Sequence, residues 1–263
     1  MKRCSQALLP FVGIAKKCKA HRITATAGAL AYLSLLSLVP LLTLGVSVVG
    51  KSPLFAPWVL KAQEFLFSTL VPATHPQIEE YLKSFMDKAA ELGGTGAAFF
   101  LLTAFFLLRE VERVFSTIME KEAKRSFFER LALYWTIITL GPLLLGAGMA
   151  ASSMLEQRLS FLLPLVQFSF SASGLLFLYK LLPPDSGGWR EALIGALGAS
   201  TLIELLRQGF GFYVRRAVNY DVIYGALASV PIFLIWLYAL WVVLLLGVEI
   251  MVYLENEKNI HRP

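Results

Sequence analysis

Long charge-free apolar runs dominate the chain, separated by short segments in which lysine, arginine and glutamate gather. A helix needs about 20 apolar residues to cross a hydrocarbon core of about 30 Å. The runs are 23–50, 92–108, 131–155, 159–179, 189–214 and 222–248. The second holds only 17 residues, but Val111, Val114, Phe115, Ile118 and Met119 carry its helical period past Arg109. The fifth starts with Arg190 and Glu191 and is interrupted by Glu204 and Arg207. The pattern predicts an all-α, polytopic membrane protein with six transmembrane helices plus short interfacial amphipathic helices.

The segment 51–91 holds Pro53, Pro57, Pro72 and Pro76, so no single helix crosses there. From Ile78, apolar residues return at helical spacing, with Glu79, Glu80, Lys83, Asp87 and Lys88 opposite. That spacing predicts a helix lying in the interface. Phe65, Leu66, Phe67 and Leu70 predict a second interfacial piece, and Leu8–Ala15 a third. Pro40, Pro231 and Gly141–Pro142 each predict a kink or local loosening inside a span. No repeat stands out.

Composition agrees with the pattern. Of 263 residues, 57% are hydrophobic and 16% charged, and the mean hydropathy is +0.65. A soluble domain carries roughly 45–50% apolar and about 25% charged residues. A disordered tail, a disulfide scaffold and a soluble enzyme of ordinary surface are excluded. The net charge of +6 is explained by insertion topology, because the basic residues gather at the ends of the apolar runs. Sixteen lysines and arginines fall on one side of a six-span topology and eight on the other. The richer side is cytoplasmic. Both termini are then inside and the 51–91 loop is outside. The expected organisation is a basic segment at 1–22, one transmembrane domain at 23–256 and a tail at 257–263. The location is a bacterial inner membrane, with membrane lipid as partner and no nucleic acid.

Little in the sequence spells catalysis. Cys4 and Cys18 do not form a CxxC pair, and His21, His75 and His261 lie far apart, so no zinc spacing exists. There is no GxSxG, P-loop or Rossmann fingerprint. No catalytic residue, metal ligand or cofactor is assigned. The cysteines read as free thiols.

The fifth run is the most informative. Ala192, Ala196, Ser200, Glu204, Arg207 and Gly211 recur at spacings of three and four. Small residues let a neighbouring helix approach, and polar ones seek partners away from lipid. Glu204 lies about 22 Å along the helix from Trp189, nearer the outer interface than the midplane. An ionised side chain at the bilayer centre costs about 2.5–3.5 kcal/mol on insertion scales, so Glu204 turns from lipid toward Arg207 or Gln208. Two readings stay open: a polar patch lining an outward cavity, or a packing ion pair. In the last run, Trp236, Tyr238 and Trp241 read as packing residues whose polar tips face a cavity. Glu249 sits at the inner boundary, where snorkelling is easy. The mixed-charge segment 109–130 reads as an extension of the second span with a solvated charged face.

The order of these features resembles the YihY/BrkB family of bacterial inner-membrane proteins. The resemblance is carried by ALAYLSLLSLVPLL at 29–42, WREALIGA at 189–196 and Phe210–Tyr213. It continues through Tyr220–Gly225, Trp236, Tyr238 and Leu246–Glu249. It implies six helices with cytoplasmic termini. Members were once labelled ribonuclease BN, and some relatives are linked to export of lipid A precursors. The positions it marks are Tyr32, Ser34, Pro40, Arg190, Tyr213, Tyr224, Gly225 and Glu249.

The leading expectation is a protein that moves or binds a lipid-like or amphipathic envelope substrate, with its headgroup passing beside the fifth span. Substrate-path candidates are Ser200, Glu204, Arg207, Arg190, Tyr213, Tyr224 and Glu249. The alternatives are a membrane-bound hydrolase, as the old family label says, and a non-catalytic scaffold or assembly factor.

Overall fold

The structure is a computed structural model that describes residues 13–14, 16–49, 93–121, 125–137, 140, 161, 163–183, 188–216 and 229–260. All regular structure among them is helical. A short α1 (13–14 and 16–20) is followed by α2 (Ile23–Val49), α3 (Gly93–Ile118) and α4 (127–137). Then come α5 (Leu163–Leu181), α6 (Trp189–Arg216) and α7 (Ser229–Ile260). The apolar runs at 23–50, 92–108, 159–179 and 189–214 thus appear as helices with nearly the expected bounds. The interfacial helices of 51–91, Gly141–Pro142 and most of the third run lie outside the described residues.

Local chemistry sets the helix ends. Arg22 adopts a left-handed backbone (φ 50°) between α1 and α2. Glu120 does the same after α3 (φ 55°). There the Lys121 N–H reaches the Ser116 carbonyl at 3.0 Å and the Glu120 N–H reaches that of Thr117 at 3.2 Å. This is the Schellman arrangement that closes a helix C-terminus. The start of α4 is a capping box: the Ser126 N–H donates to Glu129 Oε2 (3.0 Å), and the Glu129 N–H donates to Ser126 Oγ (3.3 Å). One proline expectation changes. Pro231 stands in the first turn of α7 rather than deep inside a helix, whereas Pro40 lies within α2, which runs on past it. A missing N–H costs little in a first turn.

The chain divides into two compact units, Met1–Ala27 with Arg109–Leu205 and Val242–Pro263, and Gly28–Leu108 with Leu206–Trp241. In the first, α5, α6 and α7 pack through small residues. Ala192, Ala196 and Ala199 are fully buried. A side chain at Gly195 would stand 2.6 Å from the Gly247 carbonyl. The Tyr179 hydroxyl donates to the Leu244 carbonyl at 2.8 Å, and the Tyr179 ring meets Phe115 edge-on. In the second unit, Phe210 and Trp236 form a buried pair at 4.9 Å, with Leu206, Ile232, Phe233 and Leu240 around it. There the Trp241 Nε1 donates to Ser34 Oγ at 2.9 Å.

Outward, the helices expose Leu102, Phe106, Phe128, Trp135, Leu165 and Leu205, among other large apolar side chains. Water-soluble surfaces rarely expose so many at once. Pro231–Lys258 alone, among the described residues, is a helix long and apolar enough to cross a membrane, with Ile23–Ser37 a shorter apolar stretch.

Candidate functional site: a basic cleft along the end of α3

Beyond its apolar run, α3 carries Arg109, Glu112, Arg113, Ser116 and Thr117 at spacings of three and four, with Glu120 just past its end. That spacing sets them along one ridge of the helix. With Lys121 and Arg130 they line a cleft of about 500 Å³. Four cations face two carboxylates there. The opposite face of α3, with Val111, Val114, Phe115 and Ile118, is buried.

Glu112 organises the floor. It is 1% exposed. Its Oε2 accepts from Arg130 Nε at 2.9 Å and from the Tyr134 hydroxyl at 2.6 Å. Arg125 Nη1 stands 3.8 Å from its Oε1. A buried carboxylate holds its charge only with such partners. Arg125 also donates to the carbonyls of Leu181, Leu182 and Pro183, at 2.9–3.0 Å. These are orphan acceptors at the end of α5, so one guanidinium joins that end to the Glu112 network. On the rim, Arg113 pairs with Glu110, and Lys121 with Glu255 at 3.1 Å.

A second pair, with its carboxylate buried and its histidine partly so, lies in the same unit. His21 Nδ1 donates to Glu249 Oε1 at 2.5 Å, and Glu249 is fully buried. His21 Nε2 is 4.0 Å from Glu120 Oε1 on the cleft wall. Cys18, a free thiol, lies close enough to Glu249 to feel its charge. Desolvation chiefly, and that carboxylate second, push the Cys18 thiol above its ordinary pKa. In the same unit, Lys258 Nζ donates to Glu191 Oε1 at 2.7 Å in the first turn of α6. Among the described residues, no group of three His, Cys, Asp or Glu side chains could hold a metal ion.

Residues 14–263 match the family model described as virulence factor BrkB. The chain belongs to the BrkB family. Its relatives include a UPF0761 membrane protein of Halorhodospira halophila, 40% identical over 86% of this chain and 52% of that protein. Another, of Pseudoalteromonas translucida, is 35% identical over 92% of this chain and 84% of its own length. A third, of Alteromonas mediterranea, is 34% identical over 94% and 90%. The chain thus spans about half the length of the Halorhodospira relative. No solved structure matches. Membership in the BrkB family makes this a membrane protein.

The residues singled out along this BrkB-family sequence fall in different settings. Ser200 is 1% exposed, and its Oγ has no hydrogen-bond partner among the described residues. Glu204 is half-buried, and Arg207 and Arg190 are exposed. The small-residue stripe is therefore buried from Ala192 to Ser200 and leaves the core beyond it. Tyr213 is exposed, with its ring tilted on Phe210. Tyr224 and Gly225 lie outside the described residues. Trp241 directs its tip to Ser34, whereas the buried Trp236 Nε1 has no partner among the described residues.

Two readings are corrected. Glu249 does not snorkel; it is enclosed and bonded to His21. The charges of 109–130 are not all on a solvated face, because Glu112 points into the core and gathers Arg125, Arg130 and Tyr134. The signal for Glu112 was present. It stands at the border between the cleft ridge and the buried face, three residues before Phe115 and seven before Met119.

Proposed function

We propose that this chain is a six-span inner-membrane protein with both termini cytoplasmic, built on one transmembrane domain over 23–256. In this reading it binds and moves a lipid-like, amphipathic envelope substrate whose anionic headgroup enters at the α3 cleft. The observation that carries the reading is the cleft itself: four cations against two carboxylates, just past an apolar helix run. Arginine beside an anionic oxygen gives strong, charge-assisted hydrogen bonds. The substrate's tails stay against the exposed apolar side chains of the helices. Ser200, Glu204, Arg207, Arg190, Tyr213 and Tyr224 are the sequence candidates for its onward passage. Glu249 supports that path from within the core.

The test is lipid exchange in liposomes holding the purified protein. Headgroup-labelled fluorescent phospholipid is scored by quencher accessibility, wild type beside Arg109→Gln/Arg113→Gln and beside Glu204→Ala. Protein-dependent exchange that falls in both variants is the expected result. Exchange indifferent to the arginine pair moves the entry away from the cleft. Absence of any exchange overturns general movement of phospholipid and leaves a narrow-substrate or energised transporter, or a scaffold.

A further inference from the structure

Two buried polar atoms lining the cleft have hydrogen-bonding capacity that no described residue uses. Glu112 Oε1 accepts no hydrogen bond among the described residues, since Arg125 at 3.8 Å is beyond hydrogen-bond reach. Ser116 Oγ, one turn further along α3, is likewise without a partner, and Ser116 is 7% exposed. Buried polar atoms nearly always find partners, so two such atoms one turn apart on the cleft lining mark a place where a ligand completes the set. Above them stands Arg109, exposed and without an ion pair among the described residues, beside Arg113.

A simple anion satisfies the arginines but meets the Glu112 carboxylate. A simple cation satisfies Glu112 but meets the arginines. We infer that the cleft binds a phosphate-bearing group that also carries a hydroxyl or ammonium donor. The phosphate lies against Arg109 and Arg113, and the donor points to Glu112 Oε1 and Ser116 Oγ. Such a group occurs in lipid headgroups and in soluble phosphate esters. The inference rests on the transport reading only for which of these is the source.

The experiment measures binding to the purified full chain in detergent, with phosphoethanolamine and inorganic phosphate as probes. Phosphoethanolamine is expected to bind about tenfold more tightly, the step that one added charge-assisted hydrogen bond supplies. Arg109→Gln weakens both probes together. Ser116→Ala narrows the gap between them and leaves phosphate unchanged. Glu112→Gln also disturbs Arg130 and Tyr134, so the two milder variants carry the test. Equal affinity for the two probes, or binding indifferent to Arg109→Gln, overturns the inference. Displacement of the probe by phosphatidylethanolamine vesicles assigns the lipid source, and displacement only by soluble esters assigns the other. Probe binding with these dependences but no lipid exchange keeps the site and removes general phospholipid movement. Lipid exchange without such binding does the reverse.

Discussion

His21 Nδ1 and Glu249 Oε1 meet at 2.5 Å across 228 positions of sequence. The carboxylate is fully buried, and its Oε2 accepts no hydrogen bond among the described residues. His21→Ala therefore leaves a buried charge without its hydrogen-bond donor and is expected to cost about 3 kcal/mol. Glu249→Gln keeps an acceptor for the imidazole and removes the charge, so it costs less. Thermal unfolding in detergent orders the two variants, and equal midpoints for His21→Ala and wild type would show the pair to be dispensable.

At Gly247, α7 lies hard against Tyr179 of α5 and Ala199 of α6. A Cβ there would overlap the Tyr179 hydroxyl and stand 2.8 Å from the Ala199 Cβ. Gly247→Ala is expected to destabilise by roughly 1–3 kcal/mol, as overpacking does. At Gly198 the nearest neighbour of an added Cβ is Ile250 Cδ1 at 3.5 Å, an ordinary contact. Gly198→Ala is expected to be neutral or stabilising by up to about 1 kcal/mol, through helix propensity. Unfolding midpoints that do not separate these two alanines contradict the packing.

Arg125 holds three carbonyls at the end of α5 and stands beside Glu112. A lysine has one nitrogen where the guanidinium has a fork, so it cannot keep all of these contacts. Arg125→Lys should cost about 1.5–3 kcal/mol, the range for hydrogen bonds to charged groups. The measurement is the unfolding midpoint, supported by faster amide exchange at Leu181 and Leu182.

Glu120 closes α3 with a φ of 55°. A residue with a Cβ pays for that left-handed conformation, and glycine does not. Glu120→Gly should stabilise by about 1 kcal/mol. It also takes one carboxylate from the cleft, so phosphate binding should tighten in the same variant. A fall in stability would show that the 4.0 Å approach to His21 Nε2 outweighs the backbone strain.

Cys18 should be a slow thiol. Desolvation first, and the Glu249 carboxylate second, raise its pKa. A raised acid stays protonated to higher pH, and only the thiolate is alkylated. In a Cys4→Ser background, the midpoint of iodoacetamide reactivity against pH should lie above that of the unfolded chain. Glu249→Gln should move it back down. A midpoint equal to the unfolded value would show that Cys18 is solvated.

The helices were legible because a charge-free run bounded by basic residues has one economical solution in lipid, with every backbone group bonded inside the segment. The continuation of α3 past Arg109 was legible too, since Val111, Val114, Phe115 and Ile118 keep the helical period. The sequence by itself thus determined a helical membrane protein, the approximate bounds of the helices over 23–49, 93–118, 163–181 and 189–216, and the excess of positive charge at run ends.

The tertiary structure alone decided which charges leave the surface. Glu110 and Glu112 are two positions apart on one helix, yet only Glu112 is in the core. Periodicity states that a helix has an inner face, but the neighbour that covers it determines whether a carboxylate there finds Arg130, Tyr134 and Arg125. His21 and Glu249 show the same at greater range. Each sits at the end of an apolar stretch, and only the packing of α1 and α7 in one unit turns two boundary residues into a bonded pair. Sequence spacing fixes direction around one helix axis, whereas burial and pairing depend on the distance between axes, which no local pattern contains.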